Sequence, residues 1–129
     1  MKIALVSSVF PKSSSELRER LHSVKSSGAD LALLPECPAQ PWVAATSKAT
    51  PLDAEPAGGP RESRQAAAAH AAEIALLGGS IEQTVDGGRL NTAVFWDNHG
   101  HEQLRYSKMH IPDEPGFREA AHYLSLIHI

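Results

Sequence analysis

The sequence predicts an α/β fold, on the basis of three observations. Apolar runs at residues 3–9 and 29–34 flank a segment in which leucines recur at helical spacing. A second helix-forming segment covers residues 61–73, and glycine-containing turns separate the apolar runs that follow it. A strand–helix–strand unit of this kind favours a parallel sheet with a right-handed crossover.

The first strand and the first helix follow from the amino-terminal residues. The run 3–9 is rich in aliphatic and β-branched residues, which predicts a strand that is buried on both faces and ends before Pro11. Ser13 and Glu16 have the spacing of a capping box, and the helix that they open should end at Gly28.

A second strand is predicted at residues 29–34 and is followed by a long loop at residues 35–60. Six of the nine prolines lie in this loop, and they disfavour regular structure. Long loops inside compact domains are usually functional or disordered, and this one starts where a strand ends. Residues 61–73 follow Pro60 and contain six alanines, which predicts a second helix.

The rest of the chain alternates strands with turns. Strands are predicted at residues 74–81, 90–96 and 103–106. An Asp-Gly-Gly turn at residues 86–88 and an Asn-His-Gly turn at residues 98–100 make these strands consecutive antiparallel hairpins. Residues 117–123 are expected to form a short helix after a proline-containing break.

Length, charge and cysteine content exclude several classes of function. A chain of 129 residues fits one domain, and a content of 42% hydrophobic residues excludes a disordered chain. The net charge is −3 and the basic residues are scattered, so we expect no nucleic-acid partner. Cys37 is the only cysteine, and no apolar run reaches 18 residues. Both observations predict a soluble, cytoplasmic protein with no membrane partner.

Two charged residues stand at predicted strand ends, where α/β proteins place their ligands. Glu36 follows the second strand and is a candidate general base. Lys108 follows the last predicted strand and is a candidate for stabilising an oxyanion. The alternatives are a solvated loop carboxylate and a surface lysine, and neither residue taken alone decides between the two.

Four segments stand in a fixed order along the chain. They are Leu33-Leu34-Pro35-Glu36, Gly78-Gly79-Ser80-Ile81-Glu82, Leu90-Asn91-Thr92-Ala93-Val94 and Tyr106-Ser107-Lys108-Met109-His110-Ile111-Pro112. In this order they resemble the N-terminal half of the nitrilase superfamily of carbon-nitrogen hydrolases. The resemblance extends from residue 2 to about residue 123, and it implies the N-terminal half of a four-layer αββα sandwich. Residues 1–123 are therefore expected to form a partial hydrolase domain.

The resemblance also implies a catalytic set of glutamate, lysine and cysteine. It places Glu36 as the general base and Lys108 as the group that stabilises the oxyanion. The stretch 108–119 is most similar to the N-carbamoylputrescine amidase branch, whose members cleave a ureido carbon–nitrogen bond in polyamine biosynthesis. In that branch a second glutamate helps to position the substrate and the attacking water, and Glu119 matches its place. The alternative for Glu119 is a carboxylate on a helix surface.

The chain departs from the family pattern at the nucleophile. The family's cysteine follows the lysine by a few dozen residues, whereas the last residue here lies 21 positions after Lys108. The chain is therefore expected to be inactive by itself, and residues 124–129 are expected to be a tail foreign to the native gene. Cys37 is expected to be buried and structural, facing away from Glu36, because neighbouring side chains in extended backbone point to opposite faces.

The preferred interpretation is a hydrolase of N-carbamoyl amines that uses neither a metal nor an organic cofactor. His99 and His101 lie in a predicted turn with no carboxylate or cysteine at a recognised ligand spacing, so no metal site is predicted. The expected partner is a small amide or ureido substrate, and the resemblance implies a homo-oligomeric parent. The alternatives are a non-catalytic half-domain that binds a carbamoyl compound or a partner subunit, and a relative that acts on nitriles or aliphatic amides.

Overall fold

The computed structural model describes residues 1–7, 13–40, 48–112, 114–116 and 118–126, and it confirms the predicted α/β class. The elements are β1 (Ile3–Leu5), α1 (Ser14–Ser26), β2 (Leu31–Leu33), α2 (Pro60–Ala72), β3 (Ala75–Gln83), β4 (Arg89–Trp96) and β5 (Glu102–Ser107). Two short 3₁₀ turns are Pro51–Asp53 and Glu119–Ala121. None of the described helices is both long enough and apolar enough to cross a bilayer.

All five strands belong to one sheet, and they lie in it in the order in which they occur in the chain. β1, β2 and β3 are parallel, whereas β4 is antiparallel to both β3 and β5. The predicted parallel pair and the predicted hairpins are thus confirmed. Because β5 runs in the same direction as β2, both strands end at the same edge of the sheet, and the segments that follow them emerge side by side.

Helix α1 begins as its capping residues predict. The Ser13 hydroxyl accepts a hydrogen bond from the Glu16 N–H at 3.3 Å, which satisfies one of the free donors in the first turn. Leu17 and Leu21 lie one helical turn apart and are both buried. After the helix, Gly28 turns the chain with a φ of 82°, a conformation that glycine adopts without steric cost.

Helix α2 ends without a glycine. Glu73 takes the left-handed conformation, with a φ of 50°, and its N–H donates to the carbonyl of His70. Strand β3 then begins at Ala75. The sequence has no glycine between the predicted helix and the predicted strand, and a glutamate ends the helix instead.

The main core lies between the helices and one face of the sheet. Ala68, Ala69 and Ala72 of α2 are buried in the same cluster as Leu76 and Val94 of the sheet. Alanine side chains are short, so they let the helix approach the strands closely. This packing fixes α2 over the centre of the sheet and holds the strand ends in place.

The prediction that the first strand is buried on both faces is wrong. Strand β1 is an edge strand of three residues, and the side chains of Ile3 and Leu5 are 46% and 77% exposed. The described helices cover only one face of the sheet. The opposite face is apolar and carries a row of paired residues, which we call the apolar row: Leu5, Leu33, Leu77, Phe95 and Leu104.

A buried ion cluster ties α2 to the sheet. Arg105 on β5 donates to Glu62 at 2.7 and 3.1 Å and to Glu82 on β3 at 2.9 Å. Burial acts to raise the pKa of Glu62, which is 2% exposed. Hydrogen bonds from Arg105, the Gly58 N–H and the Ser80 hydroxyl outweigh that effect and lower the pKa. Glu62 is therefore a buried carboxylate whose charge depends on one arginine.

Replacing Arg105 by methionine should destabilise the fold by about 3 kcal/mol at pH 7, because the buried Glu62 carboxylate would lose its cation. In the native chain, the contribution of Glu62 is complete above its ordinary pKa of 4.5 and is lost as the pH falls through the lower folded value. The gap between the two proteins should therefore narrow in acid. Urea denaturation at several pH values measures it, with the exposed Arg18→Met as the control. A gap that does not change with pH would contradict this account.

The apolar row should make the 129-residue chain self-associate, because large exposed apolar patches pair with one another. Leu104 is 63% exposed in that row, and Leu104→Lys should shift the chain towards monomer without lowering its Tm. Sedimentation velocity over a range of concentrations measures the association. Leu52 is 83% exposed but lies outside the row, so Leu52→Lys should leave the association unchanged. Equal effects of the two variants would show that the row is not the contact surface.

Candidate active site

Glu36 lies just beyond the carboxyl end of β2. The Leu34 N–H still donates to the Leu77 carbonyl at 2.9 Å, and the chain leaves the sheet at Pro35. The Glu36 side chain is 47% exposed, so it reaches solvent at the edge of the sheet. A carboxylate in this place is accessible to a small ligand while its backbone is fixed by the strand before it.

Lys108 lies just beyond the carboxyl end of β5 and joins two carboxylates. Its ammonium donates to Glu36 Oε1 at 3.2 Å and to Glu119 Oε2 at 2.7 Å. Glu119 comes from the second 3₁₀ turn, and its side chain is only 6% exposed. The three residues that the sequence singled out, separated by 72 and 11 positions, thus form one cluster.

The two carboxylates keep Lys108 charged. Burial acts to lower the pKa of Lys108, but the hydrogen bonds and charges of Glu119 and Glu36 outweigh it. The pKa of the ammonium therefore lies above its ordinary value of 10.5. A lysine in this state is a fixed positive charge and a hydrogen-bond donor at neutral pH, and it does not act as a base.

Asn91 is a fourth member of the cluster, and it was not among the residues predicted to belong to the site. The side-chain amide of Asn91 donates to Glu36 Oε1 at 2.5 Å. The backbone carbonyl of Asn91 accepts the backbone N–H of Lys108 at 2.8 Å. Asn91 lies on β4, on the same face as Arg89, Ala93 and Phe95, and it is 7% exposed. The signal in the sequence was a polar side chain that alternates with Ala93 and Phe95 along a predicted strand, and this signal does not identify the partners of Asn91.

Cys37 is buried, as expected, but for a different reason. The prediction of extended backbone is wrong, because Cys37 takes the left-handed conformation with a φ of 48°. This turns its side chain inward, where the thiol donates to Asn91 Oδ1 at 3.6 Å. Burial, followed by the charge of Glu36, raises the pKa of Cys37 to about 12. The thiol therefore stays protonated at neutral pH.

Tyr123 packs against Cys37 beside the cluster. It is 5% exposed and belongs to a small apolar cluster with Cys37, Ala54 and Ile81. Its hydroxyl lies beside the Cys37 thiol but makes no regular hydrogen bond to any residue that the structure describes. Burial and the neighbouring thiol raise the pKa of Tyr123, so its hydroxyl stays neutral.

The histidine-containing turn shows no metal site. His99 and His101 lie beside Asp97, which accepts hydrogen bonds from both of their backbone N–H groups. Within the described ranges, no group of three or more His, Cys, Asp or Glu side chains is arranged to hold a metal ion.

The family model for Carbon-nitrogen hydrolase matches residues 7–125. The chain belongs to this family. No curated protein sequence gives a significant match to it. The match covers every residue of the cluster around Lys108, so the cluster lies inside the family domain.

Solved structures share the fold at low sequence identity. The carbon-nitrogen hydrolase from Helicobacter pylori G27 is 21% identical, with a TM-score of 0.80 over 96% of this chain and 44% of its own. An amidase from Nesterenkonia sp. is also 21% identical, with a TM-score of 0.72 over 96% of this chain and 47% of its own. A variant of that amidase carries acrylamide added at the active site cysteine. The chain thus spans less than half the length of these structures.

The structure describes residues 124–126 of the predicted foreign tail. Leu124 N–H donates to the Arg89 carbonyl at 2.7 Å, and Leu126 N–H donates to the Met109 carbonyl at 3.1 Å. Residues 127–129 lie outside the described residues, and the foreign origin of residues 124–129 stays a prediction. Asp113 and Phe117, which contribute to the similarity with one branch of the family, also lie outside them.

Replacing Lys108 by methionine should destabilise the chain by about 3 kcal/mol, because Glu119 would become a buried carboxylate without a cation. The double variant Lys108→Met with Glu119→Gln should recover most of this loss, since the amide is neutral. Chemical denaturation of the single and double variants measures the difference. Equal stability of the two would show that Lys108 does not stabilise the buried Glu119 side chain.

Proposed function

We propose that the whole protein hydrolyses a non-peptide carbon–nitrogen bond, with Glu36 as general base and Lys108 as the stabiliser of the oxyanion. The observation that carries the proposal is the contact of the Lys108 ammonium with both Glu36 and Glu119 at one edge of the sheet. A base and a fixed cation within reach of one another are the two groups that acyl transfer to a thiol requires. Membership of the carbon-nitrogen hydrolase family supports the same reaction class.

The proposed reaction begins with a cysteine thiol from a part of the protein outside these 129 residues. Its sulfur bonds to the carbonyl carbon, and its proton passes to Glu36. The ammonium of Lys108 donates to the oxygen that becomes negative in the tetrahedral intermediate. Glu36 then gives the proton to the leaving nitrogen as the carbon–nitrogen bond breaks. Water, deprotonated by Glu36, finally attacks the thioester and releases the acid and the thiol.

Cys37 is not the nucleophile in this proposal. It is the only cysteine of the chain, it is 4% exposed, and its thiol is held by Asn91. Burial and the charge of Glu36 raise its pKa to about 12, and a protonated thiol is a poor nucleophile. The 129 residues by themselves are therefore proposed to have no turnover.

The proposed substrate is an N-carbamoyl amine such as N-carbamoylputrescine. The proposal rests on the similarity of residues 108–119 to that branch of the family, with Glu119 placed to orient the substrate and the attacking water. Simple amides are the alternative, because the Nesterenkonia amidase has been solved with butyramide and with acrylamide. A cytoplasmic location and a homo-oligomeric assembly of the whole protein belong to the same proposal.

A non-catalytic binding role of these residues is the second candidate. In this role a partner subunit or a second sheet would cover the apolar row. A stable, compact monomer of the 129-residue chain in size-exclusion chromatography would favour this role. Association or aggregation of the chain would favour an incomplete enzyme.

Glu36→Gln and Lys108→Met should each reduce kcat/KM of the full-length protein by at least about 100-fold, because each removes one group that acts in the transition state. Ammonia release from N-carbamoylputrescine, compared with release from butyramide, measures the activity and separates the two substrate classes. Arg18→Met, on the exposed face of α1, should leave kcat/KM unchanged for both substrates. Full activity of Glu36→Gln would overturn the assignment of the base.

The 129-residue chain should release no ammonia in the same assay. Turnover by this chain that is abolished by Cys37→Ala would show that Cys37 is the nucleophile after all. Turnover of the full-length protein on butyramide but not on N-carbamoylputrescine would keep the reaction class and reject the proposed substrate.

A further inference from the structure

We propose that Asn91 is a positioning residue that fixes the Glu36 carboxylate so that one of its oxygens, Oε2, faces the reacting groups. The inference rests on the function proposed above. It begins from the donors that reach Glu36. Asn91 Nδ2 and Lys108 Nζ both donate to Oε1, at 2.5 and 3.2 Å. No donor among the described residues reaches Oε2, so that oxygen is free to take a proton.

The orientation of the Asn91 amide is determined by Cys37. The Cys37 thiol donates to Asn91 Oδ1, so the opposite end of the amide, Nδ2, points to Glu36. Rotating the amide by half a turn would place its carbonyl oxygen against the carboxylate and its NH₂ group against the thiol. Both contacts would be lost, and two oxygens with partial or full negative charge would face each other. Asn91 therefore has one stable orientation.

Asn91 also connects the base to the cation. Its carbonyl accepts the Lys108 N–H at 2.8 Å, while its side chain holds Glu36. Glu36 lies in a segment without regular structure, whereas Asn91 is 7% exposed and lies on β4, between β3 and β5. One rigid strand thus sets the separation of two groups that come from loop segments. Without Asn91, the Lys108 ammonium would be the only described donor to this carboxylate, whose side chain is 47% exposed.

A positioning role differs from a merely structural role in its kinetic effects. Asn91→Ala in the full-length protein should lower kcat about 10- to 100-fold and change KM less than about 2-fold, because misplacing a reacting group slows the chemical step. Thr92→Ala is the matched control. Thr92 is the next residue on β4, is 2% exposed, and its side chain binds Glu82 and Ser107 instead of Glu36. It should keep kcat near the wild-type value in the folded fraction.

Two further variants keep the test decisive if Asn91→Ala does not fold. Asn91→Asp has the same shape but adds a second carboxylate beside Glu36, which disfavours ionisation of the base. The acidic limb of its kcat/KM profile should therefore move to higher pH. Cys37→Ser retains a donor to Asn91 and should keep kcat, whereas Cys37→Ala frees the amide and should lower kcat several-fold.

The outcomes separate this inference from the proposed function. If the wild-type protein is active, an unchanged kcat in Asn91→Ala overturns the role of Asn91. An unshifted pH profile of kcat/KM in Asn91→Asp does the same. In both cases the proposed function stands. An equal loss of kcat in Thr92→Ala also overturns the role of Asn91, because it would show an effect of strand stability. Absence of turnover in the full-length wild-type protein overturns the proposed function, and the inference falls with it.

Discussion

The ammonium of Lys108, shared between two carboxylates, is the interaction on which the candidate site depends. Without a cation between them, the Glu36 and Glu119 carboxylates would repel each other, and the Glu119 side chain is only 6% exposed. The site therefore exists only if β2, β5 and the second 3₁₀ turn meet at one edge of the sheet. The strand order and the two hairpins bring these three segments together, so the site forms only when the sheet has formed.

A cation pairs with a buried carboxylate at two places in the chain, on different sides of the sheet. Arg105 on β5 holds the buried Glu62 of α2 against the sheet, and Lys108, three residues later, holds buried Glu119 at the strand end. The choice of cation suits each place. The planar guanidinium forms several directed bonds in a closed cluster, whereas the ammonium is a compact charge that is free to turn towards a ligand. The first cluster is suited to stability and the second to chemistry.

The sequence predicts what depends on strand direction and fails where distant parts of the chain decide. Glu36 and Lys108 could be singled out because each follows a predicted strand, and strands that run in the same direction end at one edge of the sheet. Asn91 could not be assigned a role, since its partners are set by the register of β4 against a loop 55 positions away. The exposure of β1 depends on what covers the sheet, and the conformation of Cys37 depends on a single φ angle. Neither the exposure of β1 nor the φ angle of Cys37 can be read from the spacing of apolar and polar residues.

The agreement between sheet order and chain order has a consequence for how the molecule folds. Each strand can be added to the growing sheet beside the strand made just before it, and no strand must be inserted between two others. The contacts within the two hairpins are short-range and form quickly, because little chain entropy is lost before they are made. The pairing of β2 with β3 closes the longest stretch of chain between neighbouring strands, because the proline-rich connection and α2 lie between them in the sequence.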